Sequence, residues 1–231
     1  MSLKIKGFIA TTTIDYPGKV ASVIFTAPCN MNCPMCHNGM FIKDDGKEWM
    51  SEVKFMELLE SMKMLVDGVV ISGGEPTLQQ DLPEFTRKLK GMGLAVKVDT
   101  NGTNPDMLSK LIDLRSVDYF AMDIKTGFDR YTEYNQGEVV DVDTIKKSIA
   151  LIRSTGDYEF RTTVVPGFVD MHDIEEISKY IKGAKRYSLQ HFHNITANSK
   201  ALRKVEPYSR EFVESLKTIA EKYVEIVEIK G

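Results

Sequence analysis

The sequence predicts an α/β fold: a parallel sheet wound by crossover helices into a partial (β/α)6 barrel. Three observations predict it. Short β-branched runs alternate with amphipathic segments of helical period about six times, the pattern of parallel strands joined by helices. Eight such units close a barrel, so about six leave one side open. The polar, glycine-marked turns also follow the strands, where parallel α/β folds collect their chemistry.

Taken in order, residues 4–10 alternate and suit an edge strand, and Asp15-Tyr16-Pro17-Gly18 reads as a turn. The apolar strand 21–26 leads directly into a cysteine-bearing loop, after which 44–48 form a solvated turn. Residues 52–66 place Phe55, Leu58, Leu59, Met62 and Leu65 on one helical face. Strand 68–72 ends in Gly73-Gly74-Glu75-Pro76, helix 81–90 stops at Gly91, and strand 95–100 meets the Asn101-Gly102 turn. Helix 105–114 precedes strand 117–124. Helix 142–152 precedes strand 158–165, which Pro166-Gly167 closes. Helix 173–181, strand 184–193, helix 211–223 and a last strand over 224–229 complete the chain. The expected organisation is one domain over 1–231, with a core at about 20–195 and a C-terminal helix and strand at 209–230.

With 231 residues, 42% hydrophobic and 27% charged, the chain has the make-up of a soluble globular domain. A net charge of −3 offers no basic field for nucleic acid. No apolar run reaches the ~20 residues a membrane helix needs. The N-terminus carries no signal-peptide pattern, so a cytoplasmic location is expected. The twelve methionines fall mostly at helical core spacing and read as packing.

All three cysteines lie in one short loop, as Cys29-x-x-x-Cys33-x-x-Cys36. A disulfide framework calls for an even count, whereas clustered soft thiolates suit zinc or an iron–sulfur cluster. A 4Fe–4S cubane normally takes four cysteines, so three leave one iron open to a substrate. The zinc alternative needs His191 or His193, because His37 adjoins Cys36 and is badly placed to share its metal. Other candidates sit at strand ends. Gly73 and Gly74 let backbone approach a ligand, and Glu75 can accept from an ammonium group. Asp99-Thr100 ends one strand. Asp123 and Lys125 end the next and share a face with small Ala121. Arg161, inside an otherwise apolar strand, needs a partner. His193 ends a strand, and His172 sits at a helix start, on the surface.

The cysteine spacing resembles the signature of the radical S-adenosylmethionine (radical SAM) superfamily, and His37-Asn38 resembles its glycyl-radical-activating branch. The resemblance implies the partial barrel of the radical SAM type. It also implies a 4Fe–4S cluster on Cys29, Cys33 and Cys36, whose open iron chelates the amino and carboxylate groups of S-adenosyl-L-methionine. One electron then cleaves the sulfonium bond to give a 5′-deoxyadenosyl radical. Met35 stands where an aromatic residue usually packs near the adenine. Gly73, Gly74 and Glu75 would meet the methionine ammonium, Lys125 of an Asp-x-Lys motif the carboxylate, Arg161 the cofactor, and His193 the ribose. Asp99, Thr100 and Asp123 would hold a monovalent cation. The stretches Lys6-Gly7-Phe8, Asp15-Tyr16-Pro17-Gly18 and Thr26-Ala27-Pro28-Cys29 are similar to activators of anaerobic ribonucleoside-triphosphate reductase. The implied partners are therefore a glycyl radical enzyme, that reductase first, and a flavodoxin- or ferredoxin-like electron donor. Alternatives are activation of pyruvate formate-lyase or another glycyl radical enzyme, a small-molecule radical enzyme, and a non-catalytic zinc or iron–sulfur adaptor.

Overall fold

Every run expected as a strand forms one in the computed structural model, which describes residues 3–47 and 49–231. The strands are β1 (Gly7–Thr12), β2 (Ala21–Thr26), β3 (Gly68–Gly73), β4 (Ala95–Thr100), β5 (Tyr119–Asp123), β6 (Asp157–Val164), β7 (Arg186–His191) and β8 (Ile226–Lys230). They build one eight-stranded sheet in chain order. The β1–β2 pair is antiparallel and every later pair is parallel. The crossovers carry α1 (Glu52–Met62), α2 (Leu82–Gly91), α3 (Pro105–Asp113), the single turn α4 (Tyr131–Tyr134), α5 (Val142–Arg153), α6 (Met171–Tyr180) and α7 (Arg210–Ala220). Six crossovers thus join the parallel strands β2 to β8, and among the described residues β8 does not pair with β1. The barrel is partial and open on that side.

Period-two alternation divides the strand residues between two environments. Outward positions such as Ile24, Ile71, Val98, Phe120, Phe160 and Leu189 pack against the helical stripes of Phe55, Phe85, Leu108, Ile149, Ile177 and Leu216. Each such side chain, once buried, contributes about 1.5–3 kcal/mol. Inward positions hold a small apolar floor of Tyr16, Ala21, Val23, Val70, Tyr119 and Ala121. Tyr16 reaches it from the expected 15–18 turn, its ring 5.9 Å from that of Tyr119. Beyond this floor the inward residues turn polar toward the C-terminal strand ends, which is where the site forms.

Three local differences from expectation have physical causes. Helix α1 ends at Met62 rather than at 66. Leu65 N–H donates to Met62 O as the chain turns toward β3, and Met64 and Leu65 stay exposed. The first strand starts at Gly7, because Ile5 makes only an isolated bridge to Met50. A 3-10 turn at Phe128–Arg130 and α4 had no counterpart in the sequence reading, yet they bury Phe128, Tyr131 and Tyr134. Glu48, part of the expected 44–48 turn, lies outside the described residues. No described helix is long and apolar enough to cross a membrane.

Candidate active site

The strand ends converge on one cavity of about 430 Å³. Its lining includes Cys29, Cys33, Met35, Cys36, Gly73, Gly74, Glu75, Asp99, Thr100, Asp123, Lys125 and Arg161. Four come from the loop after β2, and the others from strands β3 to β6 or the residues just past them, because parallel strands all present their carboxyl ends to the same side.

The cysteine loop is held from several directions. Cys36 N–H donates to Cys33 O at 3.1 Å, which makes the turn between the second and third thiols. Gly74 N–H donates to Thr26 O and Glu75 N–H to Pro28 O, which dock the β3 turn on the loop's first arm. The two glycines are required by this docking: a Cβ at Gly73 would stand 2.3 Å from Thr26 N, and one at Gly74 2.5 Å from Pro28 O. The close approach expected for a ligand is thus made first by the protein's own backbone. On the far arm, Asn32 N–H donates to Asn135 Oδ1 at 2.8 Å, and Ser199 N–H to Pro34 O at 2.8 Å. The three thiols are free. Burial pushes Cys29 up to about 11 and Cys33 up to about 12, in Cys33 against the opposing pull of Lys125. Among the described residues no three His, Cys, Asp or Glu side chains gather around one point as a single ion would require.

Glu75 is 0% exposed and accepts four hydrogen bonds. Thr77 N–H, Thr77 Oγ1 and Thr100 Oγ1 donate to Oε1, and Asn101 N–H donates to Oε2 at 2.7 Å. Burial outweighs these donors and raises its pKa. No side-chain cation pairs with it among the described residues, and Oε2 keeps room for another donor.

The opposite wall is an ion chain. Arg161 Nε lies 2.7 Å from Asp123 Oδ1 and its NH1 3.2 Å from Asp99 Oδ2. Lys97 Nζ reaches Asp99 Oδ1 at 2.6 Å, and Lys125 Nζ reaches Asp123 Oδ2 at 2.8 Å. Burial alone would raise the Asp123 pKa, but Arg161 and then Lys125 hold it well below the usual carboxylate range. Burial would lower Lys125, yet Asp123 and Cys33 keep it well above its ordinary value.

Two of the expected site sets meet other partners in this arrangement. The monovalent-cation set of Asp99, Thr100 and Asp123 is engaged otherwise: three side-chain cations share the two carboxylates, and the Thr100 hydroxyl donates to Glu75. His193 does not line the cavity, nor does His191. β7 presents Gln190 inward, so His191 takes the other face, and His193 lies beyond the strand, at the start of a 3-10 turn. Exposed His193 packs instead against His37, with ring centroids 5.9 Å apart. The zinc alternative, which needed one of those two histidines, loses its fourth ligand. His172 is exposed at the start of α6, as expected.

Several lining residues escaped the sequence reading. Thr163 and Gln190 follow from parity alone, two residues beyond inward Arg161 and inward Ser188. Asn101, whose sequence signal is a turn, brings Nδ2 to 3.8 Å from Cys29 Sγ and donates to Asn30 Oδ1. Tyr134 lies on the unassigned α4 and carried no signal.

A family model described as "Radical SAM superfamily" matches residues 23–181. A Methanocaldococcus jannaschii protein named "Putative glycyl-radical enzyme activating enzyme" is 37% identical over 236 residues, covering 100% of this chain and 97% of its own. A Streptococcus mutans "Pyruvate formate-lyase-activating enzyme" is 28% identical over 215 residues, 83% of this chain and 80% of its own. Among solved structures, QueE from Escherichia coli superposes with a TM-score of 0.58 at 15% identity, over 100% of this chain and 94% of that one. This last likeness speaks to the fold alone.

Proposed function

The chain belongs to the radical SAM superfamily and to its glycyl-radical-enzyme activating branch, and on that premise we propose that it abstracts hydrogen from a backbone glycine of anaerobic ribonucleoside-triphosphate reductase. The observation that carries the site is the shared cavity, lined by three free thiols, a buried carboxylate with no cation partner among the described residues, and Lys125.

The residues present fit the groups the family implies. Three thiols from one loop suit a cubane, which spreads its ligands over three irons. When bound, the cluster and S-adenosylmethionine supply one-electron cleavage of a carbon–sulfur bond and a carbon-centred abstraction of hydrogen. The remaining work falls to this chain. Cys29, Cys33 and Cys36 give up their protons on binding metal, because a thiolate is the ligand and burial disfavours the free thiolate. Glu75 Oε2 takes the methionine ammonium and so gains the cation it lacks. Lys125, aimed by Asp123, takes the carboxylate, and Arg161 fixes Asp123 in turn. Met35, 4% exposed on the cavity wall, covers the adenine. The open side of the barrel admits an extended segment. A glycine can come close to the reacting carbon there, since it has no side chain to interpose. Residues 1–231 act as a single domain in this reading.

The test is anaerobic reconstitution. Wild-type protein should bind about four irons and four sulfides and cleave S-adenosylmethionine under a chemical reductant. Cys33→Ala should lose both, and full cleavage in that variant would refute the assignment. The S. mutans relative favours a second reading, in which the partner is pyruvate formate-lyase. Incubation with each partner separates the two by which one acquires a glycyl radical.

A further inference from the structure

The outer face of the cysteine loop carries a charge pattern unlike the rest of the molecule. The chain is acid-rich, with 33 Asp and Glu against 30 Lys and Arg. Yet residues 28–43, which form the loop, and 191–205, which follow β7, contain not one carboxylate; the acid-free runs end at Asp44 and Glu206. The two segments are joined in space. Ser199 N–H donates to Pro34 O at 2.8 Å, and the His37 and His193 rings lie 5.9 Å apart. Lys43, Lys200, Arg203 and Lys204 are exposed on them. None has an ion-pair partner among the described residues. Asp44 and Asp45, next in the chain, are tied to Lys4 and Lys6. Two apolar side chains stand out of the same segments, Met40 at 79% and Ile195 at 83% exposure.

We propose that this face docks a small acidic protein that carries one electron to the cysteine loop. The proposal rests on the functional reading above, whose stoichiometry requires such a donor. One electron enters, the sulfonium carbon–sulfur bond breaks, and methionine leaves. The adenosyl carbon then takes one hydrogen atom from glycine, and the unpaired electron stays on the glycine. Nothing in that balance returns the electron, so each activation draws one from outside. A chain of net charge −3 repels an acidic carrier at long range. Screening confines that repulsion to about 8 Å at physiological salt, so an acid-free basic patch decides where the carrier settles. Exposed Met40 and Ile195 supply apolar contact inside the charged rim. The patch lies on the loop that holds the thiols, the place where the electron has to arrive.

The experiment uses reconstituted protein and reduced flavodoxin as the acidic probe. The double variant Lys200→Glu, Lys204→Glu should weaken flavodoxin binding about tenfold or more at low salt and slow cluster reduction to match. The difference should vanish near ~0.5 M salt. Reduction by photoreduced deazaflavin, which needs no docking, should stay unchanged. The control pair Lys182→Glu, Lys222→Glu, outside both segments, should leave binding as in wild type. Wild-type binding by the first variant, or equal weakening by the control, overturns the proposal. So does normal flavodoxin binding with lost affinity for the glycyl radical enzyme, which would give the face to that partner. Failure of the underlying reading shows separately, as absence of S-adenosylmethionine cleavage with deazaflavin in wild type.

Discussion

Arg161 on β6 and Asp123 at the end of β5 meet through Nε and Oδ1 at 2.7 Å, and the same guanidinium reaches Asp99 on β4. One side chain therefore ties three adjacent strand ends together. It also sets the carboxylate that aims Lys125. The partner that a buried guanidinium needs is found inside the barrel, and Arg161 holds Lys125 at one remove, through Asp123.

Removing that guanidinium should be costly and should change the acid behaviour. Asp123 is held below the usual range against burial, by Arg161 first and Lys125 second. A depressed folded value means that the carboxylate's contribution is complete above its unfolded pKa of about 3.9 and is lost as pH falls below it. Arg161→Met leaves Asp99 and Asp123 each with only its lysine and should cost about 1.5–3 kcal/mol at neutral pH, the worth of a hydrogen bond to a charged group. Its stability should then fall less than that of wild type between about pH 5 and about pH 3. Urea unfolding at both pH values measures this; parallel acid limbs would contradict it.

The glycine pair yields a stability prediction with an internal control. Gly73 has φ +111, and a Cβ there meets Thr26 backbone at 2.3 and 2.5 Å, which cannot move aside like a side chain. Gly73→Ala should lose more than about 3 kcal/mol. Gly93→Ala has φ +80 but nothing within 4 Å, so it should lose only about 1–2 kcal/mol, the cost of left-handed backbone. Thermal unfolding of the two variants compares them directly. Equal losses would mean that the docking of β3 on the cysteine loop is looser than described.

Glu75 and Lys125 should act on opposite ends of an amino-acid zwitterion. Glu75→Gln keeps the shape and most hydrogen bonds but removes the charge that an ammonium would meet. Affinity for S-adenosylmethionine should drop about tenfold or more, as it should for Lys125→Met. Calorimetry on folded variants reads both. A wild-type dissociation constant in either would remove that residue from the site.

Much of this was legible in the chain because strand and helix periods differ so plainly. The seven parallel strands, the open side and the strand-end placement of Glu75, Asp123 and Lys125 all follow from alternation and turn residues. What stayed hidden was pairing. Lys97 shares a strand face with Asp99 by parity, but nothing local says that Arg161 will claim its other oxygen. Nothing near Thr100 says that its hydroxyl will serve Glu75, 25 residues away. His193 lies outside the cavity lining for a simpler reason: β7 ends at His191, and the chain has turned into a 3-10 turn by Asn194. The loop at 128–134 was missed because three aromatics over two short turns have too little length to show a period.

The central claim is hydrogen transfer from a glycine of a partner protein, and isotope tracing tests it most directly. The reconstituted enzyme is mixed with S-adenosylmethionine, a reductant and anaerobic ribonucleoside-triphosphate reductase carrying deuterium at its glycine α-carbons. One deuterium should appear in each 5′-deoxyadenosine formed, together with a glycyl radical signal on the reductase. Deuterium arriving from a free metabolite instead, with none from any glycyl partner, would contradict the account.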